Sequence, residues 1–135
     1  MGRASLFAAA VLWAGMAEAA RPEPPKGAEG GKRIFESVCA PCHGSDARGD
    51  GPVADSLKTK PADLRQIARR RGGSFPQGEV ARHIDGRETT AAHGTREMPV
   101  WGDTLASAVP DEPERERRIA RAIEMLVAYL EKIQE

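Results

Sequence analysis

The chain has 135 residues, and its 20 Lys and Arg are matched by 20 Asp and Glu, so the formal net charge is zero. That balance speaks against a bulk attraction to nucleic acid or to a strongly anionic membrane. Two cysteines exclude a disulfide-stapled scaffold, and an aromatic content of 4% implies a core that is marginal on side-chain burial alone.

Read in chain order, residues 1–19 have the plan of a secretory signal. Arg3 supplies a positive start, Leu6 to Met16 an apolar run, and Ala17-Glu18-Ala19 an A-x-A cleavage site, so a mature chain is expected from Ala20. The run of about 11 apolar residues is short of the ~20 that cross a bilayer, although an uncleaved anchor is the alternative. No membrane span is expected after cleavage. Residues 20–30 are rich in Pro and Gly without apolar period and read as a flexible linker. A single domain over 31–135 follows.

Ile34, Phe35 and Val38 recur at helical spacing and lead directly into Cys39-Ala40-Pro41-Cys42-His43. C-x-x-C-H is the attachment spacing of c-type haem: two thiols three residues apart add to the vinyl groups of one porphyrin. The adjacent His43 is then an axial ligand of the iron. The same residues have other readings. A dithiol redox centre expects a strand–helix setting, a zinc site needs two more ligands at matching spacing, and a disulfide would close a very tight loop. Export agrees with haem, since attachment in bacteria takes place outside the cytoplasm.

Gly44 to Lys60 is broken by Gly44, Gly49, Gly51 and Pro52 and reads as loop. Its Asp46 to Gly51 stretch fails as a calcium loop, because Leu57 stands where a bidentate Glu is needed. Pro61 is placed as a first-turn residue of a helix through Leu64, Ile67 and Ala68, and Pro76 as the opening of another through Val80 and Ile84, capped by Gly86. Arg69-Arg70-Arg71, with Lys58 and Lys60, is either a docking face for an acidic redox protein or a solvated helix end.

Arg87 to Glu97 is polar and aperiodic, and Met98-Pro99-Val100-Trp101-Gly102 follows it. A thioether is a soft neutral donor that favours ferrous iron, so Met98 is the expected sixth ligand, presented by an irregular loop. Met125 sits among Ile123, Leu126 and Val127 and reads as packing; His83 and His93 are the alternatives for a bis-histidine haem. A short helix is expected over Gly102 to Ala108. The C-terminal helix is the clearest element. Asp111 with Glu114 forms a capping pattern, and Ile119, Ile123, Leu126, Leu130 and Ile133 make one apolar stripe. No segment alternates like a strand, so the fold class is all-α.

With these residues in place the chain resembles class I cytochrome c, the small mono-haem carriers, from about Gly31 to the C-terminus. The resemblance implies crossed N- and C-terminal helices, with Gly31 allowing close approach and Phe35 and Tyr129 packing there. It implies that the Pro52 carbonyl, nine residues after His43, accepts the imidazole N–H. It also implies that Trp101 lies near the haem. Function is then expected to be periplasmic single-electron transfer between redox proteins, with one covalent haem c on Cys39 and Cys42, iron held by His43 and Met98, and no catalytic residues. The alternatives are a haem subunit of a periplasmic oxidoreductase complex and a five-coordinate haem that binds small ligands.

Overall fold

The structure, a computed structural model, describes residues 27–87, 98–108 and 110–135. The expected signal, the cleavage site, His93 and the rest of the segment 88–97 lie outside the described residues. Among the described residues every regular element is helical, in agreement with the all-α expectation. Helix α1 (Gly27–Ile34) passes through a π-helical turn at Phe35–Cys39 into the single turn of α2 (Ala40–His43). After a loop come a 3-10 turn at Leu64–Gln66, then α3 (Ile67–Arg70), α4 (Gln77–Asp85), α5 (Trp101–Thr104) and α6 (Glu112–Lys132).

Helix α6 organises the rest. The Asp111 carboxylate accepts from the Glu114 N–H at 3.1 Å, acidic Glu112 and Glu114 occupy the first turn, and Lys132 the last, as the backbone dipole favours. The predicted stripe is buried at Ile119, Ile123, Leu126 and Leu130, and Val127 and Tyr129 widen it. Against it lies α1. A Cβ placed on Gly31 would stand 1.9 Å from the Met125 carbonyl oxygen, so only hydrogen fits at this contact. Four residues on, the Phe35 ring packs at 5.3 Å from that of Tyr129 with planes inclined by 50°, a tilted aromatic pair. Phe35, Ile119 and Leu126 are each almost wholly buried, worth about 1.5–3 kcal/mol apiece.

Three boundaries differ from the expectation. α1 begins at Gly27, inside the segment read as linker: contact with α6 overrides the weak helix propensity of its glycines. The helix after the loop starts from Asp63, whose carboxylate accepts from the Arg65 N–H at 3.0 Å, and Pro61 remains outside it. A side-chain cap satisfies a backbone donor, which a proline ring does not. α5 spans Trp101–Thr104, a single turn. α4 follows Pro76 and ends at Gly86 as expected, where the Gly86 N–H donates to the Arg82 carbonyl at 2.9 Å.

The far end of α6 is stitched to the segment 64–68. Gln134 donates to the Leu64 carbonyl at 2.9 Å and accepts from the Ala68 N–H at 2.8 Å, while Arg65 pairs with Glu135 at 2.5 Å. These bonds hold the stretch that faces His43.

Candidate functional site

The continuous run of α1, the π turn and α2 delivers both thiols and His43 from one rod. In the π turn the Ala40 N–H donates to the Phe35 carbonyl, five residues back. Such wide turns recur at functional positions because they re-aim the side chains that follow. Here Phe35 is buried in the core, and with Cys39 it lines a cavity of about 230 Å³ between the π turn, α4 and α6. His43, Leu64, Val80, Met98 and Leu126 contribute to the same walls. The structure therefore brings Cys39, His43 and Met98 together on one cavity. Cys42 is half-buried beside them, and its charge is felt at Cys39.

His43 is oriented by backbone. Its Nδ1 lies 3.2 Å from the Ala62 carbonyl oxygen. A carbonyl only accepts, so Nδ1 carries the proton and Nε2 keeps its lone pair for a metal. This corrects the expectation for Pro52, which is exposed on a turn. The loop after His43 first folds onto α2: the Gly49, Gly51 and Val53 N–H groups donate to the carbonyls of His43, Cys42 and Pro41 at 2.8, 3.1 and 3.1 Å. The chain then doubles back, with the Leu64 N–H donating to the Ala47 carbonyl at 2.8 Å. Gly49 permits this, since a Cβ there would stand 2.1 Å from the Pro61 carbonyl oxygen. Ala62 is thereby laid beside the imidazole, although it is 19 residues from His43 in sequence.

Electrostatics suits the neutral forms. Burial holds the His43 imidazole below its ordinary value; the Ala62 carbonyl opposes this and the charge of His83 adds to it. Burial, with Cys42 nearby, pushes the Cys39 thiol up to about 11, so it stays protonated at neutral pH. His43 thus meets a metal as a free base.

The other expected residues fall in different places. His83 is on α4, exposed yet reaching the cavity rim. Trp101 opens α5 and packs half-buried against the core, outside the described lining of the cavity. Two residues that line it, Arg70 and Arg71, were read in sequence only as part of a charge run; Arg70 donates to the Asp63 carbonyl at 2.9 Å, and Arg71 pairs with Glu79.

The donor set fits a c-type haem. A neutral imidazole and a thioether are an axial pair for haem iron, and Cys39 is a free thiol at the cavity wall. Aliphatic walls suit the porphyrin face, and two guanidinium groups match its two carboxylates. The competing readings lose their settings: among the described residues there is no strand to carry a dithiol fold, and no group of three or more His, Cys, Asp or Glu gathers to hold a metal ion. No helix of the described residues is long and apolar enough to cross a membrane.

A family model described as cytochrome c oxidase, cbb3-type, subunit III matches residues 26–111, a span that includes both thiols, His43, Ala62 and Met98. No curated protein and no solved structure matches the chain.

Proposed function

The chain belongs to the cytochrome c family described as cbb3-type oxidase subunit III, and we propose that it is an exported mono-haem carrier of single electrons. In this reading residues 1–19 are removed on export to the periplasm and residues 27–135 form the haem domain. Cys39 and Cys42 hold the porphyrin through thioether bonds, and His43 and Met98 ligate the iron. When bound, haem supplies one-electron chemistry, its iron alternating between ferrous and ferric states.

The chain's own residues determine how well that works. The Nδ1–H bond to Ala62 keeps Nε2 of His43 directed and unprotonated. Met98 offers a neutral sulfur, which favours the reduced state and makes the protein a better acceptor. Val80, Leu126 and the other aliphatic walls exclude water and keep the local dielectric low. Arg70 and Arg71 at the cavity balance the carboxylates of the porphyrin. Electrons pass to and from protein partners, whose identity lies beyond this chain.

The observation that carries the proposal is the meeting of Cys39, His43 and Met98 on one cavity. It is tested on protein matured with the bacterial haem-attachment machinery. Intact mass should show one haem that acidified acetone does not extract, and Cys39→Ser with Cys42→Ser should abolish that bond. The ferric protein should show the near-infrared sulfur-to-iron charge-transfer band, and Met98→Ala should remove it and raise the spin state. A spectrum that ignores Met98→Ala would eliminate Met98 as a ligand.

A second reading is favoured by the family description itself, which names a subunit of an oxidase. The protein would then be the haem-bearing subunit of a periplasmic oxidoreductase complex. Hydrodynamic size of the native material separates the two: a carrier elutes alone, a subunit with a larger partner.

A further inference from the structure

We propose that Asp85, Arg87 and Glu116 form a three-way clasp that holds Met98 in position, making Arg87 a positioning residue for the sulfur ligand. The inference rests on the reading of Met98 as an iron ligand given above. Arg87 donates from Nε to one Asp85 carboxylate oxygen at 2.6 Å and from Nη2 to the other at 3.1 Å. Its remaining arm, Nη1, donates to Glu116 at 2.6 Å. One guanidinium thus ties the C-terminal end of α4 to the N-terminal half of α6, and its planar fork makes the tie directional.

The clasp is also a wall. A Cβ on Gly102 would stand 2.0 Å from the Asp85 carboxylate and 2.5 Å from Arg87 Nε, so the buried backbone of α5 lies directly against the ion pair. Arg87 precedes the segment that leads to Met98, and Gly102 follows Met98 by four residues. Both flanks of the ligand therefore meet at one guanidinium. Between Met98 and Gly102 there is little freedom: Pro99 restricts the backbone, and Thr104 Oγ1 donates to the Val100 carbonyl at 3.3 Å. Isolated surface ion pairs contribute little. This one is two-armed and only 30% and 25% exposed at Arg87 and Asp85, with helix backbone packed on it. Its geometry suits holding a chain in register. A protein that loses the clasp keeps its haem and His43, but spends more time with the sulfur off the iron.

Competition by free imidazole for the ferric haem of the mature protein reads that population directly, because an added ligand binds only when the sulfur has left. Arg87→Met and Gly102→Ala should each tighten imidazole binding by at least about fivefold, weaken the near-infrared sulfur band and lower the reduction potential. Glu116→Gln removes only the more exposed arm and should have a smaller effect in the same direction, so the test survives if either stronger variant fails to fold. Lys32→Met, which breaks the exposed ion pair to Glu36, serves as the control and should leave imidazole affinity unchanged. A lower melting temperature in the Arg87 and Glu116 variants with unaltered imidazole affinity and band would overturn the proposal. A wild-type protein without the sulfur band, and with the same imidazole affinity as Met98→Ala, would overturn the ligand reading and the clasp's role with it.

Discussion

At Gly31 a hydrogen stands where any other residue would put a carbon 1.9 Å from the Met125 carbonyl oxygen and 2.8 Å from the Tyr129 Cβ. Neither neighbour is the free tip of a side chain, so Gly31→Ala must push α1 away from α6 and loosen the Phe35–Tyr129 contact. A loss on the order of 1–3 kcal/mol is expected, read by thermal unfolding of the haem-loaded protein. Gly78→Ala on α4 is the contrast: its nearest neighbour would be an Arg82 guanidinium nitrogen at 3.6 Å, and stability should be unchanged or slightly raised. Equal losses at the two sites would refute the close-approach argument. The same scale shows what can be read from sequence. Cys39, Cys42, His43 and Met98 can be singled out from sequence because side-chain type and spacing are written there, and the structure brings Cys39, His43 and Met98 to one cavity. The carbonyl that orients His43 cannot, since every residue has one. Which carbonyl arrives depends on the loop doubling back at Gly49 and Leu64, and the family resemblance implied Pro52 instead.

Among the elements, α6 was legible nearly to the residue, because its cap, its dipole-matched ends and its stripe all point the same way. The start of α1 and the π turn were not. Gly27, Gly30 and Gly31 argue against a helix on propensity, and no residue type marks an extra residue in a helical turn; packing on α6 decides both. The join of α4 to α6 through Arg87 was hidden for a similar reason, its partners being 29 residues apart at Glu116. That join has a pH signature. Hydrogen bonding from Arg87 holds the Asp85 carboxyl below its ordinary value of 3.8, and the same guanidinium lowers Glu116. A carboxyl whose folded value is depressed contributes stability that is full above the ordinary value and is lost as the pH falls through the lowered one. The melting temperature of wild type should therefore fall more steeply than that of Arg87→Met between about pH 5 and pH 2. Parallel curves for the two proteins would show that the clasp contributes nothing to stability in acid.

For the whole molecule, the cavity and the core share walls. Val80, Ile84, Leu126 and Leu130 belong to the buried cluster and also line the cavity, and Phe35 joins them at its inner end. Among the described residues only Phe35, Ile119 and Leu126 are large side chains at 2% exposure or less, and they enclose little apolar volume. In the proposed reading a porphyrin held by these residues would add a broad apolar surface where side chains are few, and ligation by His43 and Met98 would tie the two sides of the core together. Both contributions would exist only in the folded arrangement, so they would add to the difference between folded and unfolded states even with thioether bonds that persist in each. The haem-free chain, made as Cys39→Ser with Cys42→Ser, is accordingly expected to unfold at a markedly lower temperature, with a broader transition and a shallower denaturant dependence. Circular dichroism at a helix wavelength, followed through heat and through urea for both forms, measures this. A haem-free protein that melts as sharply and at the same temperature as the mature one would mean that the side chains close the core unaided.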